Sequence, residues 1–547
     1  MRGIETLARS EMVVAKHTAA AKVGADVLRK GGNAVDAAVA TAFALGVVEP
    51  YMSGIGGGGL MVIHLGSEDY VIDYTMRSPN KASASMYDLE EGIAPSLFGW
   101  RKVRDDANIH GYLSISVPGT VSGLSKAMEK FGRLSLEEVI APAVRLAEKG
   151  VEVNWFTTML TAGEMDLLVK YEEISKIFLK RGFPYKPGFT YPLEMPEILR
   201  QPDLARTMRT IAREGADAFY KGEIAGKIIE DVERNGGILS AQDLSGYQAR
   251  IERAAPNDYR GFTIHCAKGP SGGPTLVENL NVLEGFDLKA MRHNSPQYLH
   301  RVAETGRLSH HDRFKFLADP DFADVPLDRL MSKEYAAQLR STMSLEKGRE
   351  STSLAATTHS SGCTTHLSVI DSARNMVSLT QTLLSLCGSF IVPKSTGVTM
   401  NNGMMWFNPQ PGTPNSIEPN KRPLSNMAPI LVTKDGKPVM SLGAPGGRRI
   451  INAVTQVAIN VLDFSMRMQE AIDAPRIHCE ADELLTSENI PRRTIRKLRK
   501  MGHKVVPLEM SPGSFNFASP VGILVDQKSN LLRGGFDPYR PGLAIGR

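Results

Sequence analysis

Two alternating stretches in the last third of the chain, TTHLSVID and NMVSLTQTLL, constrain the fold most strongly. Both are rich in β-branched residues and only the short turn SAR separates them, so residues 364–384 are predicted to form a β-hairpin. The hairpin follows a stretch rich in Ser and Thr, residues 344–362, which has few large apolar side chains. We expect that stretch to be an exposed, mobile connector. A threonine therefore stands where a tether meets a strand.

Thr364 begins the first strand of this hairpin, and two interpretations of it are open. Strands favour threonine for packing reasons alone. A threonine hydroxyl also becomes an effective nucleophile at a chain N-terminus, where its own α-amine serves as the base. The second interpretation requires cleavage of the bond between Cys363 and Thr364. Cys363 is a rival nucleophile, but a cut before it would leave Thr364 as the second residue.

The predicted register of the hairpin supplies a partner for Thr364. If Asp371 and Met376 close the turn, Thr364 lies opposite about position 383, and Thr382 becomes a close cross-strand neighbour. The two hydroxyls are then near enough to hydrogen-bond. An acyl-transfer reaction also needs donors for an oxyanion. The stretch GAPGGRRI offers two successive backbone N–H groups ahead of a predicted helix, those of Gly446 and Gly447.

A glycine loop near the start of the chain imitates a nucleotide-binding motif. Gly54, Gly56 and Gly59 have the GxGxxG spacing, but a predicted helix precedes them and a strand follows, the reverse of the dinucleotide-binding order. No GK[ST] follows, which excludes a P-loop. We interpret the loop as a close-packed turn and expect no cofactor. Adjacent His310 and His311 point in different directions on a helix, so no metal site is expected there.

The composition narrows the class of protein. The chain has 547 residues and a formal net charge of +5 without a basic run, which does not favour nucleic-acid binding. No apolar run approaches about 18 residues and no signal peptide is visible, so we expect a cytoplasmic protein without membrane association. Export stays open if a leader is missing. The cysteines have no metal-binding spacing and are expected to be free thiols: Cys266, Cys363, Cys387 and Cys479.

Helices and strands are predicted to occupy different parts of the chain. Residues 19–48 are predicted to form two helices, separated by GGN, with Asn33 capping the second. Residues 275–345 are predicted to be mainly helical. Further strands are predicted in GVTMNNGMMWF, APILVTKDGKPVMSLGAPGG and VGILVDQKSNLLRGG.

Many stretches resemble, in order, the γ-glutamyltransferase (glutathione hydrolase) family of N-terminal-nucleophile hydrolases. They cover nearly the whole chain: GGNAVDAAVA, VEPYMSGIGGGG, VPGTVSGL, GGILSAQDLSGY, HHDRFKFLADPDF, TTH, VSLTQT, PNKRPLSNMAP and GAPGGRRI. The resemblance implies an α+β fold, a four-layer αββα sandwich, and a precursor that cleaves itself. The large subunit would be residues 1–363, with 343–363 as a flexible tether, and the small subunit residues 364–547. The nucleophile interpretation of Thr364 is favoured as a result.

The resemblance also implies roles for individual residues. The family's nucleophile, supporting threonine and two oxyanion glycines fall on Thr364, Thr382, Gly446 and Gly447. Its substrate-binding serine pair falls on Ser425 and Asn426 in KRPLSN, so the second position departs from the family pattern.

The predicted substrate pocket departs further from the family. A carboxylate-binding arginine usually lies in a pattern like FREMAP, whereas this chain reads YTMRSP. Thr75 holds the usual place, and Arg77, two residues later, is the candidate clamp for a carboxylate. The positions that contact a donor's α-amino group hold Leu384, Gly403 and Trp406. A cationic amine would lose partners there worth about 1.5–3 kcal/mol per bond, although Trp406 offers a cation–π contact.

Three functions follow, in order of preference. The first is a self-processing enzyme in which Thr364 attacks a γ-glutamyl, or similar carboxylate-bearing, amide. Water or an amino acceptor then releases the acyl group, as in glutathione hydrolysis or transpeptidation. The second is an amidase of the same superfamily that acts on another amide, such as a cephalosporin side chain or oxamate. The third is a non-catalytic binding protein. The expected partners are a small-molecule amide and the two subunits of one precursor, and a homo-oligomer remains open.

Overall fold

Two seven-stranded antiparallel sheets form the centre of the fold. A computed structural model of the chain describes residues 2–94, 98–190, 193–348 and 363–547. One sheet, named the hairpin sheet, has the strand order Arg250–Arg253, Glu68–Tyr74, Gly58–Leu65, Met376–Leu384, Cys363–Ile370, Met12–Ala15, Leu543–Gly546. The second sheet has the order Thr6–Ala8, Leu532–Phe536, Val521–Val525, Lys437–Gly443, Ile430–Lys434, Phe262–Cys266, Ala255–Tyr259.

Alternation along the strands decides what each face of a sheet contacts. In the hairpin sheet, Val13 and Met61 pack against helices, whereas Met12 and Leu60, one residue earlier, point to the opposite face. The residues on that opposite face share an apolar cluster with Leu431 and its neighbours in the second sheet. The two sheets therefore pack face to face.

Helices cover the outer face of each sheet. The hairpin sheet is covered by Thr18–Arg29, Ala34–Val48, Thr120–Phe131, Leu136–Lys149, Pro202–Glu214, Asp217–Tyr220, Glu223–Arg234 and Ala241–Gly246. The second sheet is covered by Gly273–Glu284, Pro296–Phe316, Arg449–Leu462, Met468–Asp473 and Arg492–Lys500. The order of helix, sheet, sheet and helix confirms the predicted four-layer αββα sandwich.

The remaining elements are short. The helices among them are Trp155–Gly163, Met165–Leu168, Glu172–Phe178, Leu327–Leu330 and Lys333–Thr342, with 3-10 turns at Arg104–Asp106, Tyr112–Ser114 and Gly403–Trp406. Ile477–Cys479, Glu483–Ser487 and Lys504–Leu508 form a three-stranded sheet. Four strand pairs complete the set: Leu89–Ile93 with Arg101–Val103, Val151–Glu152 with Ile198–Leu199, Leu179–Lys180 with Phe183–Pro184, and Phe189–Thr190 with Leu193–Glu194. Within the described residues, no helix is both long and apolar enough to cross a membrane.

The predicted helix break at GGN is confirmed. The first helix ends at Arg29 and the second begins at Ala34, and Asn33 caps it. Asn33 Oδ1 accepts the backbone N–H groups of Val35 and Asp36, while the Asp36 carboxylate accepts the N–H of Asn33 at 2.7 Å. The helix Ala34–Val48 is buried along its whole length. Its first N–H groups are out of reach of solvent, so the side-chain cap has to satisfy them.

The predicted hairpin is confirmed, with strands Cys363–Ile370 and Met376–Leu384. Its register differs by one residue, because the first strand ends before Asp371. The Asp371 carboxylate instead accepts backbone N–H groups inside the turn. A register irregularity near the start of the first strand then leaves Thr382 and the next residue opposite Thr364.

The strand predicted within residues 397–407 is wrong. The segment is irregular and ends in the 3-10 turn Gly403–Trp406. Two asparagine side chains tie the segment to distant parts of the backbone. Asn401 Nδ2 donates to the carbonyls of Gly56 and Ser116, and Asn402 Nδ2 donates to that of Ile109.

The predicted tether is covered only at its ends, since residues 349–362 lie outside the described residues. At its start, the carbonyl of Ser344 accepts from His300 Nε2 at 2.9 Å and that of Leu345 from Arg301 Nη1 at 2.9 Å. At its end, Cys363 already belongs to a buried strand. The division into two subunits stays a prediction.

The glycine loop is a close-packed turn, as predicted. The N–H of Gly57 donates to the carbonyl of Gly54 at 3.1 Å. A Cβ atom at Gly57 would lie 2.3 Å from the carbonyl oxygen of Thr382. Glycine therefore allows this turn to touch the strand that carries Thr382.

Gly57→Ala is expected to destabilise the fold by about 1–3 kcal/mol, because the added methyl group overlaps backbone that cannot move freely. Chemical denaturation of the purified variant measures the change. Gly54→Ala is the matched control, since nothing lies within 4 Å of a Cβ atom at that position. Equal stability of the two variants would contradict the close contact.

Candidate active site

The hydroxyls of Thr364 and Thr382 meet at the carbonyl of Cys363. Thr382 Oγ1 donates to the oxygen of Cys363 at 2.6 Å. Thr364 Oγ1 lies 2.5 Å from the same oxygen and 3.2 Å from Thr382 Oγ1. The neighbouring hydroxyl that the hairpin predicted is therefore present. Attack by Thr364 on this carbonyl would develop negative charge on an oxygen that already accepts a hydrogen bond.

Leu384 fixes the direction of the Thr382 hydroxyl. Its φ of 94° lies in the left-handed region, which is uncommon for a residue other than glycine. This conformation accompanies a hydrogen bond from its N–H to Thr382 Oγ1 at 2.8 Å. Because Thr382 Oγ1 accepts that bond, its own proton is directed at the carbonyl of Cys363. A strained backbone at such a position is common where a structure holds reacting groups in place.

The thiol of Cys363 is buried and protonated. Its Sγ donates to the carbonyl of Tyr51 at 2.9 Å and lies 2.8 Å from Met52 Sδ. Burial raises the pKa of this thiol well above its usual value, and the nearby charges of Cys387 and Glu49 act in the same direction. A protonated thiol is a weak nucleophile. The Thr364 hydroxyl, by contrast, lies beside the carbonyl of Cys363, so Thr364 is the better placed of the two.

Gly446 and Gly447 form a sharp turn ahead of the helix Arg449–Leu462. Their φ angles are 141° and 58°, which glycine adopts without strain. A Cβ atom at Gly446 would lie 2.5 Å from the Cα of Ala518. Gly446 lines the same cavity as Thr364, and Gly447 follows it in the turn. Their role as oxyanion donors stays a prediction.

A buried arginine anchors this glycine turn. Arg448 Nε bonds to Glu480 at 2.8 Å, and its Nη1 donates to the carbonyl of Phe98 at 2.6 Å. The next residue, Arg449, donates to the carbonyl of Phe515 at 2.7 Å. Buried charges that are paired and hydrogen-bonded hold a loop in one geometry.

Ser425 and Asn426 lie in a loop that another buried arginine holds. Arg313 donates to the carbonyl of Ser425 at 2.6 Å and to Asn426 Oδ1 at 2.9 Å. Burial, together with the charge of Arg448, lowers the pKa of Arg313 to about 9. Asn426 Nδ2 is buried and has no hydrogen-bond partner among the residues described. A buried donor of this kind suits an oxygen of a bound molecule.

Arg77 belongs to the same region. Ser78, the next residue, and Lys421 exchange two hydrogen bonds of 2.9 Å, which join the Arg77 segment to the loop carrying Ser425. The Arg77 guanidinium lies 5.4 Å from the centroid of the Tyr247 ring. Its Nε is buried without a hydrogen-bond partner in the described ranges. The guanidinium stacks on an aromatic ring and keeps hydrogen-bonding capacity.

Three positions correspond to the family's contacts with the α-amino group of a donor: Leu384, Gly403 and Trp406. In this structure they are apolar or closely packed. Leu384 and Trp406 share an apolar cluster with Met427, next to Asn426. A Cβ atom at Gly403 would lie 2.7 Å from Ser116 Oγ.

Thr75, which holds the family's arginine position, is engaged elsewhere. Its N–H donates to Asp73 Oδ1 at 2.9 Å, and its side chain bonds the same carboxylate. The described residues thus place unpartnered nitrogen atoms of Arg77 and Asn426 in this region, and an apolar cluster that contains Leu384 and Trp406.

Three charged residues that were not predicted from the sequence line the cavity of Thr364: Lys16, Glu49 and Arg540. Lys16 and Glu49 are buried, and Arg540 is half-buried. The sequence carried a weak signal for these charged residues. Lys16 directly follows the apolar stretch MVVA, and Glu49 directly follows the apolar end of a helix. Charges that terminate buried elements are uncommon without a partner.

A separate cluster has the residue types of a metal site. One ligand atom each from His300, Glu304 and His503 lie within 4.8 Å of one another. His300 Nδ1 and His503 Nε2 are hydrogen-bonded at 2.7 Å, and Arg307 pairs with Glu304. All three side chains thus already bond to protein groups, and the cluster adjoins Ser344 instead of Thr364.

Comparison with known proteins assigns the chain to a family. Residues 20–546 match the family model described as Gamma-glutamyltranspeptidase. The chain belongs to this family. A glutathione hydrolase proenzyme from Pseudomonas sp. (strain A14) is 39% identical over 493 residues, which are 86% of this chain and 82% of that protein. Acylase ACY 1 proenzyme from Pseudomonas sp. (strain V22) is 37% identical over 508 residues, 92% of this chain and 89% of that protein.

A solved structure agrees with the family assignment. Cephalosporin acylase from Bacillus halodurans superimposes with a TM-score of 0.89 at 26% identity, covering 100% of this chain and 97% of that one. This γ-glutamyltranspeptidase-family member is therefore an enzyme with the N-terminal-nucleophile hydrolase fold. Both of the relatives named above are described as proenzymes.

Thr382→Val is expected to slow self-cleavage about 10²–10³-fold, because it removes the hydrogen-bond donor to the Cys363 carbonyl while keeping the side-chain shape. The rate is followed by intact mass spectrometry of the newly made precursor. Thr382→Ser keeps the hydroxyl and is expected to cleave close to the wild-type rate. Rapid cleavage of the valine variant would contradict this role.

Proposed function

We propose that this enzyme cleaves its own Cys363–Thr364 bond and then uses Thr364 to open a γ-glutamyl, or similar carboxylate-bearing, amide. One observation carries the proposal: the hydroxyls of Thr364 and Thr382 converge on the carbonyl oxygen of Cys363, in a cavity that Gly446 also lines. Cleavage yields a large subunit, residues 1–363, and a small subunit, residues 364–547. The similarity to a glutathione hydrolase proenzyme supports this chemistry for the chain.

Self-cleavage begins with attack of Thr364 Oγ1 on the carbonyl carbon of Cys363. Thr382 donates to the developing oxyanion. The bond between that carbon and the nitrogen of Thr364 breaks as the nitrogen gains a proton, which leaves an ester between Cys363 and Thr364 Oγ1. Water hydrolyses the ester. The Thr364 hydroxyl is restored and its α-amine is free.

Turnover uses the new α-amine. It accepts the hydroxyl proton as Thr364 attacks the substrate amide, and it returns the proton to the leaving amine. The N–H groups of Gly446 and Gly447 stabilise the oxyanion. Water or an amino acceptor then takes the acyl group from Thr364.

A carboxylate is the recognition element that we expect on the substrate. Arg77 and Asn426 lie on segments that Ser78 and Lys421 join, and each has a buried nitrogen without a partner in the described residues. A guanidinium and an amide can bind the two oxygens of one carboxylate. Ser425, Gly403 and Trp406 complete the proposed pocket.

A second candidate is an acylase or amidase whose substrate lacks the α-amino group. The apolar cluster that contains Leu384 and Trp406 favours it, because an ammonium group would face apolar surface there. The similarity to an acylase proenzyme and to a cephalosporin acylase structure supports it as well.

A cytoplasmic location is part of the proposal. The four cysteines are buried and unpaired, which suits a reducing compartment.

Thr364→Ala is expected to remain a single chain, because alanine supplies no nucleophile, whereas the wild type gives two fragments that meet between Cys363 and Thr364. Intact mass spectrometry measures both. Thr364→Ser keeps a hydroxyl and is expected to cleave. A folded wild-type chain that stays uncut after long incubation would refute the proposal.

Two substrates that differ only in the α-amino group separate the candidates. A γ-glutamyl enzyme is expected to prefer γ-glutamyl-p-nitroanilide over glutaryl-p-nitroanilide by at least about 10-fold in kcat/KM, since one charge-assisted bond is worth about 1.5–3 kcal/mol. Release of p-nitroaniline measures both rates. A preference for the glutaryl compound would assign the enzyme to the acylase class instead.

A further inference from the structure

The proposed self-cleavage needs a base that accepts the proton of the Thr364 hydroxyl. During turnover the α-amine of Thr364 accepts the proton, but in the precursor that nitrogen is still part of the Cys363–Thr364 peptide bond. An amide nitrogen is not basic, so another group has to take the proton from the hydroxyl. That group must lie close to Thr364 before the bond is cut.

The cavity of Thr364 contains three charged side chains, Lys16, Glu49 and Arg540. Its other lining residues are apolar side chains and the glycine turn. Charged groups in such surroundings are costly unless they interact with one another or with polar neighbours. Among the residues that line the cavity, Glu49 is the carboxylate.

Glu49 is held close to the nucleophile. It follows the last residue of the helix Ala34–Val48, and only 2% of its surface is exposed. Its Oε2 accepts the hydroxyl of Thr365 at 3.0 Å, and Thr365 directly follows Thr364 in the strand. A single hydrogen bond thus ties the carboxylate to the strand that carries the scissile bond.

Positive charge faces Glu49 from two other parts of the chain. Lys16 Nζ donates to Ser519 Oγ at 2.6 Å, and the N–H of Ser519 donates to the carbonyl of Pro445 at 2.9 Å, next to Gly446. The guanidinium of Arg540 stacks on the Phe515 ring, 3.7 Å from its centroid.

These surroundings bring Glu49 into the range where it can exchange protons at neutral pH. Burial raises its pKa to about 7, against the opposing effects of Lys16, the Thr365 hydroxyl and Arg540. Burial lowers the pKa of Lys16 to about 8, while Asp537 and Glu49 oppose that shift. A group with a pKa near the working pH is best suited to accept a proton and return it.

The other ionisable groups near the bond are less suitable. Burial keeps the Cys363 thiol protonated. His366, two residues beyond Thr364, is hydrogen-bonded to Thr380 and Ser368, and burial lowers its pKa to about 3.

We propose that Glu49, held by Thr365 and balanced by Lys16, is the proton acceptor and donor for self-cleavage. The cavity leaves about 10 Å³ for the centre of a water molecule, which is room for one water that can relay the proton. This inference rests on the proposed function, because it concerns the step that activates the same site.

The proposed step balances without any further reactant. A bond forms between Thr364 Oγ1 and the carbonyl carbon of Cys363 as the hydroxyl proton passes through the water to the Glu49 carboxylate. Protonated Glu49 then returns that proton to the Thr364 nitrogen as the C–N bond breaks. The products are the ester, a neutral α-amine and the original carboxylate.

The test measures the self-cleavage rate of freshly synthesised precursor from pH 5.5 to 8.5 by intact mass spectrometry. The wild-type rate is expected to rise with pH through about 7, because only the ionised carboxyl accepts a proton. Glu49→Gln is expected to cleave at least about 100-fold more slowly and without this dependence. Lys16→Met is expected to shift the midpoint to higher pH, since loss of a nearby cation raises the pKa of Glu49.

Two further variants separate proton transfer from a structural role. Glu164→Gln is the matched control, because Glu164 also acts electrostatically on Cys363 but does not line the cavity, and it is expected to cleave like the wild type. Glu49→Ala is expected to regain cleavage when acetate or formate is added, because a small carboxylate can occupy the vacated space. Thermal unfolding of each precursor checks that it is folded.

Two outcomes would overturn the inference. One is a Glu49→Gln precursor that cleaves at the wild-type rate. The other is a slow, folded Glu49→Gln precursor combined with no rescue of Glu49→Ala and no shift in Lys16→Met, which would leave Glu49 a structural role only. A wild-type chain that never cleaves would instead refute the proposed function itself, so the two failures are distinguishable.

Discussion

The hydrogen bond from Thr382 Oγ1 to the carbonyl oxygen of Cys363 is the contact on which the proposed self-cleavage depends. It exists because two adjacent central strands bring residues 19 positions apart into register. The left-handed backbone of Leu384 orients the Thr382 hydroxyl, and Gly57 lets a turn approach Thr382 from the other side. Each support lies in the buried centre of a four-layer fold, where side chains cannot relax to relieve a misplaced group.

The same strand must serve two states of the protein. Before cleavage, Cys363 is a paired, buried strand residue, and its carbonyl is the group under attack. After the proposed cleavage, Thr364 would become a chain end whose amine carries the catalysis. A precursor therefore needs a temporary base that the mature enzyme can do without. The buried charges of Lys16 and Glu49 are costly in an apolar cavity, and a role in this single event gives a reason for keeping them.

Sequence patterns correctly predicted those elements of the fold that interactions between neighbouring residues determine. The hairpin and the Asn33 cap follow from side-chain alternation and from capping, so both were found, with a register error of one residue where the Asp371 side chain enters the turn. The strand predicted within 397–407 failed because Asn401 and Asn402 use their amides on distant backbone groups. The cavity charges were missed because Lys16 meets Ser519, 503 residues away, which no periodicity reports.

In the proposed function, substrate choice depends on a contrast between the two ends of the proposed pocket. Arg77 and Asn426 keep buried nitrogen atoms without partners in the described residues, and they lie on segments that hydrogen-bond to each other. Leu384 and Trp406, by comparison, are packed in apolar surroundings. In the proposed pocket, an ammonium group that faced this apolar cluster would pay the cost of an unpaired charge, which exceeds the gain from an added apolar contact. The presence or absence of one amino group on the acyl chain is therefore the feature to which this enzyme should be most sensitive.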